Sequence, residues 1–170
     1  TVIDSFADAY AQGLTPNPCI VCNKRIKFGA MAEIAGEFDC SFVATGHYAR
    51  VLYDEEQERW CLAQGRDHCK DQSYALYTLS QEQLARALFP LGDYSKDQVR
   101  AMALKRGLEV AHRPESQDIC FVVDDDYRRF LRELRPGSVR PGPIIDREGR
   151  HLGTHSGLCF YTVGQRKGLG

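Results

Sequence analysis

Hydrophobic residues follow a helical spacing in the first part of the chain, and this spacing predicts two helices. Val2, Phe6 and Tyr10 fall on one side of a helix that Gly13 is placed to end. A second helix is predicted to begin at Asn23, with its apolar positions on one face. Those positions are Ile26, Met31, Ile34 and Phe38.

The next stretch changes to short apolar runs, which are typical of strands. Residues 41–45 form an apolar run that ends at Gly46 and predicts a buried strand of a parallel sheet. Residues 49–53 and 60–63 flank a polar segment and predict an antiparallel surface hairpin whose aromatic side chains cover the core. Ligands of parallel sheets bind beyond the carboxyl ends of the strands, so Gly46 lies where backbone can approach a nucleotide.

Two serine–glutamine pairs predict the starts of two further helices. Ser80 with Gln83, and Ser95 with Gln98, both match the capping-box pattern, and Gly107 is placed to end the second helix. The positions expected to be buried are Leu84, Leu88, Val99, Met102 and Ala103.

The last third of the chain predicts a strand, a basic helix, a linker and a small β element. Residues 115–123 place polar side chains ahead of a short apolar strand that contains Cys120. Residues 124–126 precede a basic amphipathic helix over 127–134, and the proline- and glycine-rich residues 136–143 predict a linker. Residues 143–146 and 151–153 predict the β element.

Composition adds an expected compartment and leaves the partner open. The 170 residues carry a net charge of -1 and seven cysteines. No secretory signal or long apolar run is recognised, so we expect a reducing, cytoplasmic location and no membrane association. Basic segments near residues 24–27, 128–140 and 166–167 are compatible with a nucleic-acid partner but do not require one.

Candidate chemistry begins with two cysteines three positions apart. Cys19 and Cys22 follow two prolines and precede a basic segment. If a helix begins at Asn23, Cys22 lies just before its N-terminus, where the backbone N–H groups, the dipole and Lys24 favour a thiolate. A buried, inert cysteine is the alternative interpretation, and Cys120 taken alone is typical of a core residue.

Polar residues near the predicted strand ends form a second candidate group. His47 follows the predicted strand, and Lys70, Asp71 and Gln72 precede a predicted short apolar helix. Such side chains can contact a substrate. The alternative interpretations are a structural histidine at His47, which the sequence alone favours, and ordinary helix capping by residues 70–72.

Several motifs together resemble those of the bacterial tRNA-specific 2-thiouridylases, which replace the 2-oxygen of the wobble uridine of certain tRNAs with sulfur. The resemblance spans nearly the whole chain in the family's order and is carried by residues 16–28, 44–48, 70–74, 116–121, 152–155 and 161–170. It implies an α/β fold, with the C-terminal part of an ATP-pyrophosphatase parallel-sheet domain over residues 1–123. The start of a small α+β central domain is implied over residues 124–170.

One motif of that family does not occur in these 170 residues. The family holds the ATP phosphates with a loop of the type Ser-Gly-Gly-x-Asp-Ser, and the sequence contains no such loop. The resemblance therefore implies an interior portion without that loop and without the family's C-terminal barrel, and we expect this portion to be inactive by itself.

Site residues follow from the resemblance position by position. Cys22 corresponds to the nucleophile, Cys120 to the cysteine that carries the incoming sulfur as a persulfide, and Gly46 to an ATP contact. The implied tRNA contacts are Asn17, Pro18, Cys19, His47, Lys70, Asp71 and Gln72. The implied cofactor is ATP with Mg²⁺, and the implied partners are tRNA and a sulfur-donor protein.

Three hypotheses about function remain open at this stage. The first is an enzyme that adenylates the uridine and transfers sulfur from a persulfide. The second is a protein in which Cys19, Cys22 and Cys120 hold a 4Fe–4S iron–sulfur cluster. The third is an RNA-binding or structural chain with an unreactive Cys22. Structural zinc is less favoured because it would need a fourth ligand and a second close pair.

Overall fold

The computed structural model describes residues 1–112 and 119–168, and these fall into two compact units. We call Cys19–Glu115 the sheet unit, and Thr1–Pro18 with Ser116–Gly170 the split unit. The N-terminal helix therefore belongs to the same compact unit as the C-terminal part of the chain. The predicted division between residues 123 and 124 stays a prediction.

The sheet unit alternates short helices with short strands. Its elements are α2 (Pro18–Cys22, which begins on the last residue of the split unit), a π-helix (Asn23–Ala30), α3 (Met31–Glu37), β1 (Val43–Ala44), β2 (Ala49–Asp54), β3 (Arg59–Gln64), a 3₁₀ turn (Ser73–Ala75), α4 (Gln81–Ala85), β4 (Ala87–Leu88), α5 (Lys96–Lys105) and a 3₁₀ turn (Glu109–His112). Within the described residues no helix is long and apolar enough to span a membrane.

Strand pairing confirms the predicted parallel strand and the predicted hairpin. β1 pairs in parallel with β4, with Val43 opposite Ala87. β2 and β3 form an antiparallel hairpin from the Ala49–Gln64 pair to the Asp54–Arg59 pair, as the flanking apolar segments predict. Parallel strands need a long crossover, and the hairpin and α4 lie within the connection between β1 and β4.

One buried cluster holds the elements of the sheet unit together. Its members come from the π-helix, β1, β2, α4, β4 and the segment before α4: Phe28, Val43, Ala49, Leu76, Leu79, Leu84 and Ala87. Close backbone contact supports this cluster, because a Cβ atom on Gly92 would lie 2.0 Å from the carbonyl oxygen of Ala49. Only glycine fits at that position without a shift of the backbone.

The predicted apolar face of the helix after the cysteines is wrong. Ile26, Met31, Ile34 and Phe38 are 44–74% exposed, whereas Asn23 and Phe28 are buried. Over Asn23–Ala30 the backbone is π-helical, with bonds that span five residues instead of four, so the 3.6-residue spacing does not hold at Ile26. Met31 and Ile34 lie in α3, which has no buried residue. Asn23 and Phe28 are five positions apart and therefore point the same way, while the 3.6-residue spacing predicts a different face.

Other predictions of helices and buried positions in the sheet unit are corrected as well. The segment after Gln72 forms only the 3₁₀ turn, not a helix through residue 79. Leu88 lies in β4 and is 44% exposed, because α4 ends at Ala85. The residues expected to be buried in α5, which are Val99, Met102 and Ala103, are not buried. Both predicted capping boxes are present, at Ser80 and at Ser95.

The split unit packs helices and a hairpin around an aromatic core. Its elements are α1 (Val2–Ala11), α6 (Tyr127–Leu134), a 3₁₀ turn (Pro136–Ser138), β5 (Gly142–Ile145), β6 (His151–His155) and a 3₁₀ turn (Leu158–Phe160). The buried residues are Phe6, Ala7, Tyr10, Leu131, Cys159 and Phe160. The structure confirms the predicted basic helix with its cap at Asp126 and the small β element, which is the β5–β6 hairpin.

The predicted strand through Cys120 is a turn. The N–H of Val122 donates to the carbonyl of Ile119 at 2.8 Å, and Val123 is 96% exposed. The run of apolar residues is too short for its spacing to distinguish a strand from a turn. Ile119 and Phe121 are partly buried and pack against the core of the split unit. The polar residues 115–118 ahead of it lie outside the described residues.

Candidate active site

Cys22 lies within a helical segment instead of before one. It is the last residue of α2, and its φ of -61° and ψ of -48° continue directly into the π-helix. The prediction that the helix begins at Asn23 is therefore wrong. Pro18 starts the helix, because its fixed φ suits the first helical position. The argument that a helix N-terminus favours a thiolate at Cys22 is lost with that prediction.

Asn23 anchors the backbone next to Cys22. Its side chain is 1% exposed, and its Nδ2 donates to the carbonyl of Ala75 at 2.9 Å, so it does not cap a helix. The Oδ1 of the same amide has no hydrogen-bond partner among the described residues. The bond from Asn23 to the Ala75 carbonyl ties the helical segment that contains Cys22 to the 3₁₀ turn that directly follows Gln72.

His47 is buried beside the π-helix and is uncharged at neutral pH. Its Nδ1 lies 2.7 Å from the Oγ1 of Thr45, and its ring centroid is 6.4 Å from that of Phe28 and 5.8 Å from that of Phe89. Burial lowers the pKa of His47 to about 4, and the positive charge of Lys27 adds to the effect. His47 can therefore offer hydrogen bonds but not a positive charge.

Gly46 lies just past the carboxyl end of β1, and packing does not explain why it is glycine. A Cβ atom there would meet only Leu91 Cδ1, at an ordinary contact distance of 3.7 Å, and its φ is not positive. Glycine at such a point is typical of a place where a ligand approaches the backbone.

Asp71 and Gln72 fold their own loop onto the strand segment that contains His47. Gln72 Oε1 accepts from the N–H of Tyr48 at 3.1 Å, and the Gln72 N–H donates to the Tyr48 carbonyl at 2.9 Å. Asp71 accepts from the N–H of Gly65 at 2.8 Å and from the hydroxyl of Ser73 at 2.6 Å. Burial alone would raise the pKa of Asp71, but these hydrogen bonds outweigh it and hold the pKa below its usual value.

The sheet unit thus links three of the predicted site segments through contacts. The helix of Cys22 is tied through Asn23 to the turn after Gln72, Gln72 is bonded to Tyr48, and the ring of His47 lies near Phe28. Three predicted site residues belong to the split unit. Asn17 and buried Pro18 close the first segment of the split unit, and exposed Cys120 lies in its second segment.

The cysteines offer a partial fit to a metal cluster. None of the seven forms a disulfide. Cys19 and Cys22 are three positions apart on α2 and therefore share one side of it. Within residues 1–112 and 119–168, no three His, Cys, Asp or Glu side chains are grouped so that they could hold a metal ion. In the iron–sulfur hypothesis the third ligand is Cys120, which lies in the split unit.

Two family models match the chain, one after the other. The model of the tRNA methyl transferase HUP domain matches residues 1–124. The chain belongs to this family. The model of the tRNA methyl transferase PRC-barrel domain matches residues 128–170. These matches confirm the family resemblance and the α/β class with a parallel sheet.

Curated relatives of this family member are named for a sulfur reaction. The chain is 57% identical over 169 residues to the tRNA-specific 2-thiouridylase MnmA of Moorella thermoacetica, covering 99% of this chain and 47% of the relative. It is 52% identical over 169 residues to that of Natranaerobius thermophilus, with 99% and 46% covered. It is 51% identical over 185 residues to that of a Roseiflexus species, with 99% and 50% covered. The chain spans about half the length of these relatives.

Two residues of the site escape sequence reasoning. Asn23 matches a helix cap in the sequence, but its amide bonds to a residue 52 positions away. Gln83 matches a capping box, but its amide also reaches the π-helix. In each case the sequence shows only a local capping motif. The motif does not indicate that the side chain bonds to a residue more than 50 positions away.

Proposed function

We propose that the complete protein containing this chain is a tRNA sulfurtransferase that forms 2-thiouridine at the wobble position, with Cys22 as its nucleophile. The observation that carries the proposal is the linked set of segments around Cys22. The helix of Cys22, neutral His47 and the Gln72 loop are joined by hydrogen bonds or ring contacts within one compact unit. The 2-thiouridylase relatives support the same reaction.

The proposed chemistry needs ATP because the C2 carbonyl of uridine is a poor electrophile. The uridine O2 attacks the α-phosphorus of ATP, and pyrophosphate leaves. A sulfur nucleophile then adds to C2, and AMP leaves with the original oxygen. We assign ATP contact to Gly46, where a Cβ atom would meet only Leu91 Cδ1 at 3.7 Å, so that packing does not account for the glycine. Mg²⁺ would neutralise the phosphates.

The proposed sulfur relay uses both cysteines. Cys120 carries the incoming sulfur as a persulfide, received from a sulfur-donor protein. Its terminal sulfur adds to C2, and the Cys22 thiolate then attacks the Sγ of Cys120. The bond between Cys120 Sγ and the transferred sulfur breaks, its electron pair stays with the sulfur on C2, and a Cys22–Cys120 disulfide remains that an external thiol reduces. Exposure of Cys120 on a turn supports a role in which it receives sulfur from another protein. A reducing cytoplasm fits seven cysteines that form no disulfide.

The uridine must leave its stack to reach Cys22, and uncharged side chains suit its recognition. We propose that His47 and the Lys70–Asp71–Gln72 loop contact the tRNA, together with Asn17, Pro18 and Cys19. The side-chain oxygens of Asp71 and Gln72 accept from Gly65, Ser73 and Tyr48, so these two residues also hold the loop in place against the neighbouring segments. Gln72→Ala should therefore reduce tRNA turnover more than ATP binding.

The test replaces each proposed cysteine in the complete protein. Cys22→Ser and Cys120→Ser should each abolish 2-thiouridine formation, measured by the retarded migration of thiolated tRNA in a mercury-containing gel. Binding of ATP should be unchanged in both. Cys40→Ser is the matched control, since Cys40 is exposed in the sheet unit and has no assigned role. Full activity of Cys22→Ser would reject the proposal.

An iron–sulfur cluster remains the second candidate, favoured by the shared side of α2 that Cys19 and Cys22 occupy. Anaerobic reconstitution with iron and sulfide, followed by visible absorption, separates the two. A cluster that Cys19→Ala removes would support this candidate, whereas the persulfide relay needs no ligand at Cys19. The 170 residues alone should release no pyrophosphate with tRNA, because their sequence contains no phosphate-binding loop.

A further inference from the structure

Gln83 has two functions in the sheet unit, and only one of them is helix capping. Its Oε1 accepts from the N–H of Ser80 at 3.0 Å, which completes the capping box of α4. Its Nε2 donates to the carbonyl of Lys24 at 2.9 Å and to that of Phe28 at 2.8 Å. Both carbonyls belong to the π-helix that begins directly after Cys22.

The Lys24 carbonyl lies at a crowded point of the π-helix. The N–H of Met31 donates to the carbonyl of Ile26, five residues back, which is the wide bonding pattern of this helix. A Cβ atom on Gly29 would lie 3.0 Å from the Lys24 oxygen, so the glycine leaves this turn room to close tightly. Gln83 reaches the same oxygen with an N–H donor and supplies it with a partner from outside the helix.

Two side-chain amides hold the π-helix at successive points: that of Asn23, within the π-helix, and that of Gln83, outside it. Asn23 is bonded to Ala75, and Lys24 and Phe28 are bonded to Gln83. These partners are 52 to 59 positions away in the chain, so they fix the segment to the body of the sheet unit. The direction of the backbone that leaves Cys22 depends on them.

We infer that Gln83 is a positioning residue for Cys22, acting through the two π-helix carbonyls that its amide holds. Gln83 touches no reacting atom. The inference rests on the proposed function only in taking Cys22 as the reacting thiol. Because thiol reactivity can be measured without any turnover, failure of this inference and failure of the proposed function give different results.

The chain contains its own control for the capping contribution. Gln98 completes the capping box of α5 in the same way, with its Oε1 accepting from the N–H of Ser95 at 2.8 Å. In the described residues its side chain has no second contact of the Gln83 kind. Gln83→Glu and Gln98→Glu are therefore the same change in the same motif, and both keep the oxygen acceptor of the capping box.

The experiment compares three variants of the complete protein: Gln83→Glu, Gln98→Glu and Ser80→Ala. Gln83→Glu removes the two N–H donors and places a carboxylate against two carbonyl oxygens. Half-buried Cys22 should then react about threefold or more faster with iodoacetamide, relative to exposed Cys40, because the segment opens locally. In a thiolation assay kcat should fall about tenfold or more while the KM for tRNA stays within about twofold.

The controls separate positioning from stability. Ser80→Ala should lower the melting temperature yet leave the Cys22-to-Cys40 reactivity ratio unchanged, since the Gln83 amide stays in place. Gln98→Glu should also leave the ratio unchanged. If Gln83→Glu does not fold, the uncharged Gln83→Met, which also lacks the donors, is measured instead. An unchanged ratio in the folded Gln83 variant, or an equal change in Gln98→Glu or Ser80→Ala, would overturn the inference.

Discussion

Two cysteines with complementary proposed roles lie in contrasting surroundings. Cys22 is half-buried on a helical segment whose following turn is held by Asn23 and Gln83. Cys120 is exposed on a turn that is closed by the backbone bond from the N–H of Val122 to the carbonyl of Ile119. A nucleophile gains rate from a fixed position, whereas a thiol that receives sulfur from another protein gains from access. The contrast teaches that the two roles place opposite demands on the local structure.

The strongest test of the rigid side of this contrast is Gly92→Ala. Its Cβ atom would lie 2.0 Å from the Ala49 carbonyl, so the backbone that carries β2 must shift. We expect a loss of about 3 kcal/mol in the free energy of unfolding of the sheet unit, measured by denaturant titration. Gly153→Ala in the split unit is the control, because a Cβ atom there meets nothing within 4 Å. Equal stability of the two variants would show that this backbone contact is not needed.

Thiol reactivity sharpens the comparison within the split unit. Cys120 is exposed, whereas Cys159 is 1% exposed and burial raises the pKa of its thiol. Cys120 should react with iodoacetamide about a hundredfold faster than Cys159, read by peptide mass spectrometry. In denaturant both should react at similar rates. Comparable rates in the native protein would mean that the core around Cys159 opens readily.

Local signals explain which elements could be predicted from the sequence. The two capping boxes, the Asp126 cap and the β2–β3 hairpin all depend on residues close together in the chain, and the structure contains each of them. Gly13 and Gly107, which closely follow the ends of α1 and α5 and have positive φ, are local signals of the same kind.

The π-helix and the turn at Cys120 could not be predicted in the same way. The π-helix has its external partners at Ala75 and Gln83, more than 50 positions away, and an ordinary helical period conceals it. Of the proposed site residues, Cys22, Gly46 and His47 are predicted from the local sequence and the family resemblance, while the positions of Asn23 and Gln83 depend on tertiary contacts that no single segment encodes.

A pH titration of stability tests the burial of His47. The unfolded chain takes up the proton near pH 6.5 and the folded chain only near the lowered pKa of about 4, so the free energy of unfolding falls as the pH drops between these values. Between pH 6.5 and 5 the loss should be about 1.5 kcal/mol. His47→Gln should remove this slope, whereas His151→Gln, at an exposed position of β6, should keep it. A slope that survives in His47→Gln would assign it to other groups.

The smallest expected effect concerns the basic residues of the split unit and tRNA binding. Lys and Arg side chains that contact phosphates release counterions, so each one removed lowers the salt dependence of binding by about one in the log–log slope. Arg129 in α6 is paired with Asp124 at 2.7 Å and with Glu133, and these carboxylates raise its pKa. Its charge is already balanced within the unit.

Arg129→Gln should therefore change the slope less than Arg166→Gln, which removes an exposed charge from the segment before residue 168. Binding of tRNA to the complete protein, measured between about 50 and 200 mM salt, decides this. An equal change in both variants would mean that tRNA displaces the carboxylates from Arg129, and a slope unchanged by either would remove both residues from the tRNA interface. The prediction follows from the pairing in the structure, since the sequence alone presents α6 and residues 166–167 as equally basic segments.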